Sequence, residues 1–145
     1  MITKKDLINK GFSSESILEQ KENKTSDFVD MVSILLHSRT QVHTLHLQTK
    51  SYPEHIALNE YYDGIVGLID GIIESYQGKY EIIQGYKSYD LVNYKSTEAT
   101  INYLKGLDDK VQKLRGCCKD TFIQNQIDNV NELINSTLYK LRFLK

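Results

Sequence analysis

Between Leu104 and Cys118 the apolar residues Leu104, Leu107, Val111, Leu114 and Cys118 recur at alternating intervals of three and four. Because 3.6 residues complete a helical turn, that interval places them on one stripe of an α-helix, the stripe a helix buries against others. The rhythm appears three more times. Phe28, Leu35 and Val42, with Met31, Val32 and Leu45 beside them, mark a first long helix from about Ser26 to Thr49. Leu58, Tyr62, Ile65, Ile69, Ile72 and Tyr76 mark a second, which starts at "SYPE" (51–54) and ends near Gly78. Ser51 and Glu54 have capping-box spacing there, and Pro53 lies in the first turn, where a missing N–H is harmless. The opening stripe predicts a third helix over Thr97 to Cys118. A fourth starts at Thr121, spaced for a capping box with Gln124, and continues through Ile127, Val130, Ile134, Leu138 and Leu141. With one proline in 145 residues and little strand-like alternation, the chain reads as all-α.

The links order these helices. The third and fourth are joined by a tight turn at Lys119 and Asp120, whereas "KYEIIQGYKSYDLVNYKS" (79–96) separates the second and third. That segment is too long for a hairpin between antiparallel neighbours and predicts a crossover along the molecule. Its tyrosines at 80, 86, 89 and 94 are expected to pack it against the outer surface, with a short helix of its own. Short link, long crossover, short link is the connectivity of a ferritin-like four-helix bundle; a cytokine-type bundle needs two long crossovers. The expected organisation is such a bundle over 26–145, preceded by an N-terminal arm or short helix over 1–25 that packs outside it.

Composition removes several function classes. Eighteen basic against 19 acidic residues, a net charge of −1, give no footprint for nucleic acid. No window approaches the roughly 18 apolar residues of a membrane span, and no export signal follows Met1. The expectation is a cytoplasmic protein, or a virion-associated one if phage-encoded, since the Lys-, Asn-, Ile- and Tyr-rich composition is compatible with an AT-rich phage or bacterium. Cys117 and Cys118 are adjacent, a poor geometry for a mutual disulfide, and read as reduced packing residues.

Chemistry-bearing residues gather in "HTLHLQTKSYPEHIALNEYYDGIVGLIDGIIE" (43–74). At about 100° per residue, His46 shares the face of Phe28 and Leu35, His43 sits at its edge, and His37 lies on the opposite, solvent side. On the second helix Asn59, Asp63, Asp70 and Glu74 share a flank of the apolar stripe, and His55 lies near the stripe itself. Asp70 and Glu74, one turn apart, can reach one ion together. Oxygen and imidazole ligands of this kind suit iron or manganese better than structural zinc. The same residues also admit a plainer reading, with the carboxylates as a solvated boundary and His46 as a hydrogen-bonded core or interface histidine. Gly64, Gly67 and Gly71 form a further stripe, each costing about 1 kcal/mol relative to alanine, which points to close approach by another helix, for instance at a subunit contact. The third and fourth helices contain no histidine and no Glu-x-x-His motif. A carboxylate-bridged di-iron site inside the core is therefore not encoded.

The stretch resembles the Dps-like miniferritins of the ferritin-like superfamily. In these a histidine ends the first helix, a short turn follows, and the second helix supplies a histidine and an Asp-x-x-x-Glu pair. His46 with "LQTKSYPEH" after it, "ALNEYYDG", and "DGIIE" with Asp70 and Glu74 match that order. Two registers are open: His55 aligns with the second-helix histidine if the Asp70/Glu74 pair sets it, and Asn59 does if Asp63-Gly64 sets it. The resemblance implies a homo-oligomer, a dimer or larger shell, built through the first two helices. It implies Fe(II) held by His46, His55, Asp70 and Glu74 across a two-fold axis, with Asp63 nearby, and ferroxidase chemistry with mineral storage. The competing expectation is a non-catalytic ferritin-like oligomer, structural or interacting, with a degenerate metal site. A helical regulator that binds a partner through its N-terminal arm is a third class.

Overall fold

The computed structural model describes residues 1–11 and 13–145. Its helices are α1 (Lys4–Asn9), α2 (Ser14–Gln48), α3 (Tyr52–Lys79), α4 (Thr97–Leu114) and α5 (Thr121–Phe143), with a 3₁₀ turn, Arg115–Cys117, after α4. The described residues contain no strand.

The helix bounds differ from the sequence reading where a local cap was overlooked. The first long helix starts at Ser14 rather than near Ser26, because Ser13 caps it by accepting from the Ser16 N–H at 3.0 Å. From there to Ser26 the chain holds no glycine or proline to stop it. Ser51 caps α3 as expected, accepting from the Glu54 N–H at 3.4 Å, but the Glu54 carboxylate does not return the bond. At α5 the expected Thr121/Gln124 box does not form: Asp120 is the N-cap, and the Gln124 amide instead donates to the Cys118 carbonyl at 2.7 Å. The third helix stops at Leu114, and its last turn tightens into the 3₁₀ segment.

Side-chain ties give the helix directions. Ser38 meets Tyr61 and His46 meets His55, so α2 and α3 run antiparallel. Lys140 pairs with Glu60 and Lys79 with Asp120, so α3 and α5 do as well. Asp108 accepts from Asn131 and Asn135, and Arg115 pairs with Asp128, which sets α4 against α5 in the same sense. Helix α2 also touches α4, so each long helix has two antiparallel neighbours. The stripes close on a common core, in which Phe28, Leu35, Leu58, Ile65, Leu104 and Ile127 are each 0% exposed. Full burial of such a side chain contributes about 1.5–3 kcal/mol, and packing of this kind supplies most of the stability of helices in proteins. Tyr61 carries a hydroxyl into this core and satisfies it on Ser38 at 2.8 Å.

The link from α3 to α4 has no helix of its own, contrary to expectation; it is an extended strap laid along α2. Polar side chains of α2 hold its backbone. Ser33 accepts from the Lys87 N–H at 3.0 Å, and Gln48 accepts from the Tyr94 N–H at 2.7 Å. Between them Gln41 clamps Val92, accepting from its N–H at 2.8 Å and donating to its carbonyl at 2.7 Å. These bonds fasten the strap outside any regular ladder, and nearly all of its residues are exposed to water, which can serve its other backbone groups. The strap also overturns the solvent placement of His37: Tyr89 lies against its ring at 5.4 Å, and partial burial lowers the imidazole pKa.

Two of the three glycines of the stripe have a neighbour within one chain. A Cβ on Gly64 would meet Leu133 at 3.4 Å and one on Gly71 would meet Gln126 at 3.8 Å, so both face α5. Gly67 faces open space. No helix among the described residues is long and apolar enough to cross a membrane.

Candidate functional site

The site forms where α2 ends and α3 begins. A three-residue link, Thr49 to Ser51, folds α3 back on α2 and brings His46 beside His55. Their rings stack with centroids 3.6 Å apart and planes 20° from parallel. His46 Nδ1 lies 2.7 Å from the His55 carbonyl oxygen, and His55 Nδ1 lies 3.0 Å from the His46 carbonyl oxygen. A carbonyl only accepts, so each Nδ1 carries the proton and donates. The Nε2 lone pair of each ring remains the basic position, the arrangement that orients metal-ligating histidines elsewhere.

Two more aromatic groups extend the stack. His43 lies flat on Tyr62 at 4.1 Å, and Tyr62 meets the His46 ring edge-on at 5.1 Å. The Tyr62 hydroxyl donates to Asn59 Oδ1 at 2.8 Å, and Asn59 Nδ2 donates to Asp63 at 2.9 Å. A polar chain thus runs from the imidazoles to the outer face of α3. Sequence reasoning left His43 and Tyr62 out of the site. The signals were present: His43 is three residues before His46, and Tyr62 is seven after His55, so each pair shares a helix flank.

Of the five residues read from the sequence as metal ligands, His46 is buried and His55 half-buried, and these two touch. Asp63 is exposed and reaches the cluster only through Asn59. Asp70 and Glu74 are exposed on the outer face of α3, one turn apart. They lie 15 and 19 residues beyond His55, about 22 and 28 Å along the helix axis at 1.5 Å per residue. One chain therefore does not bring them to the imidazoles. Among the described residues no three His, Cys, Asp or Glu side chains form a group able to hold a metal ion.

Behind the stack sits a carboxylate that the sequence reading took for a cap. Glu54 is 3% exposed, and its Oε2 accepts from the hydroxyls of Thr49, Tyr94 and Thr97, each at 2.9 Å. Three donors compensate the lost hydration of Oε2 and tie the α2–α3 link to the end of the strap and the start of α4, while Oε1 is buried with no hydrogen-bond partner among the described residues. Next to it a hollow of about 770 Å³ is lined by Glu54, Thr97, Ile101, Leu141, Arg142 and Phe143, among others.

No curated protein and no solved structure matches the chain. Residues 46–141, which include His46, His55, Asp63, Asp70 and Glu74, match the model of a family of unknown function, DUF5856, and the chain belongs to that family.

Proposed function

We propose that the chain is a Dps-like, ferritin-like protein that binds Fe(II) as substrate between two copies, and oxidises and stores it in an oligomer. The observation that carries this reading is the reciprocal Nδ1 bonding of His46 and His55, which fixes both tautomers and leaves Nε2 as the lone-pair nitrogen of each ring. The topology supports it: four antiparallel-neighbour helices with one long crossover, between α3 and α4, are the connectivity of a ferritin-like four-helix bundle.

The ring geometry refines the roles. Parallel planes 3.6 Å apart keep the two Nε2 lone pairs from converging on one ion. His55, the more exposed ring, is the ligand in this reading, and His46 orients it. The carboxylates must come from a second copy. Two α3 helices packed antiparallel about an axis near Asp63 set His55 of each copy opposite Asp70 and Glu74 of the other, an isologous contact. Leu36, Leu47, Tyr52, Ile56 and Val66, all exposed on α2 and α3, provide apolar surface for it. Imidazole nitrogen and carboxylate oxygen fit Fe(II), whose remaining positions stay open to an oxidant.

The test is complementation. Anaerobic Fe(II) binding is measured on the full chain, on His55→Ala, on Asp70→Ala, and on an equal mixture of the two variants refolded together. Shared sites predict loss in each variant and recovery of about a quarter of the wild-type sites in the mixture, because half of the dimers are mixed and each mixed dimer carries one intact site of two. Binding that survives both substitutions would overturn the assignment. A second reading rests on the same clasp: reciprocal bonds that close the α2–α3 joint need no metal, and a non-catalytic oligomer would retain its mass while binding no iron.

A further inference from the structure

The joint between α4 and α5 carries the chain's two cysteines. Cys117 ends the 3₁₀ turn and Cys118 follows in extended backbone, at φ −108° and ψ 132°. This change of conformation directs two successive side chains toward each other, and their sulfur atoms lie 3.7 Å apart. Cys118 is 4% exposed and part of the core, while Cys117 is half-buried at its edge. Both flanks are pinned: Arg115 pairs with Asp128, the Gln124 amide holds the Cys118 carbonyl, and Asp120 binds Lys79 and Tyr80. One thiol hydrogen-bonds the other, which pushes the Cys117 pKa up and holds that of Cys118 down.

Paired thiols can oxidise or chelate, and the geometry separates the two. A disulfide needs the sulfurs at about 2.05 Å and Cα atoms at least about 4.4 Å apart. Neighbours across a trans peptide are held at about 3.8 Å, so closure would strain a joint fixed on both sides. Chelation needs no closure, since two sulfurs about 2.3 Å from a tetrahedral centre stand about 3.8 Å from each other. Zinc would require two further ligands, and among the described residues no group of three His, Cys, Asp or Glu side chains is placed to hold a metal ion. The site suits a soft centre that two thiolates satisfy.

We propose that Cys117 and Cys118 form a binding site for monosubstituted trivalent arsenicals, R–As(III), whose two open valences match the two thiols. In the reaction R–As=O takes both: two S–H bonds break, two As–S bonds form, and the two protons leave with the arsenic oxygen as water. Arsenic stays trivalent and no electron is transferred. The site is separate from the histidine cluster and does not depend on the iron reading.

The test treats native full-length protein with one equivalent of phenylarsine oxide and weighs it intact. The expected product is a single phenylarsenic adduct, formed with loss of one water, that excess glutathione displaces at least about a hundredfold less effectively than it does from Cys117→Ser or Cys118→Ser. A dithiol such as 2,3-dimercaptopropanol releases it. Displacement by glutathione equally from all three proteins would overturn the proposal. So would an unlabelled native chain that labels once unfolded in urea, which needs no variant to fold and would leave the pair as core packing.

Discussion

Replacing Gln41 by alanine detaches the middle of the strap. The Gln41 side chain is 2% exposed and makes two hydrogen bonds to the backbone of Val92, at 2.7 and 2.8 Å. Each such bond contributes about 1 kcal/mol net, and loss of both leaves an N–H and a carbonyl that water can reach, since Val92 is 56% exposed. The expected loss is about 2 kcal/mol. Gln48 offers an internal control, because it makes a similar pair of bonds, to the Tyr94 N–H and to Asn93, from an exposed position. Gln48→Ala should cost less than about 1 kcal/mol, as solvent already competes for its partners. Gln41→Glu is worse than either, because a carboxylate oxygen would face the Val92 carbonyl in a buried site. Equilibrium urea unfolding gives the free energies, and hydrogen exchange at the Val92 amide reports the clamp itself. Equal losses for Gln41→Ala and Gln48→Ala, or unchanged exchange at Val92, would refute the reasoning that the strap is fastened at Gln41.

Tyr61→Phe removes the hydroxyl that reaches Ser38, while Ser38 keeps its own bond to the Leu35 carbonyl; the loss should be about 1 kcal/mol by urea unfolding, and a neutral result would show that the hydroxyl adds nothing. Gly67→Ala meets nothing within 4 Å in one chain, so at concentrations where the chain is monomeric it should gain up to about 1 kcal/mol of helix propensity in thermal unfolding. A loss there would mean that Gly67 is constrained within the chain. Lys79 and the Tyr80 hydroxyl hold the Asp120 carboxyl below the ordinary aspartate range, and the same bond pushes the Tyr80 phenol up to about 12. Because folding lowers the Asp120 pKa, its contribution is complete above the unfolded value of about 3.9 and is lost as pH falls through the folded value. Asp120→Asn should therefore lower stability by about 0.5–1 kcal/mol at pH 7 and match wild type at low pH; a gap that persists in acid would contradict it.

The apolar stripes made the four long helices legible because burial, which imposes the 3.6-residue period, dominates their stability. Two local features depended on weaker competitions. Ser13 against Ser26 was one, and Gln124 was another, where the Cys118 carbonyl outbids the cap. The strap was legible as a long connection but not as an extended one, since its bonds come from Ser33, Gln41 and Gln48, more than 40 residues earlier in the chain. At the site the inward face of His46 could be read from its phase with Phe28 and Leu35. Its stacking on His55 could not, because it depends on how the Thr49–Ser51 link closes. Asp70 and Glu74 lie one turn apart on the exposed side of α3, as their spacing requires. Their distance from His55 along one rigid helix was equally readable, and it is what makes a second copy necessary to the iron reading.

The central claim is tested most directly by anaerobic calorimetric titration of the full chain with Fe(II), with mass measured by light scattering on the same samples. The account predicts stoichiometric binding to an oligomer, abolished in Asp70→Ala and in His55→Ala while both variants remain helical. Absence of binding at any mass, or binding unchanged in both variants, would contradict it.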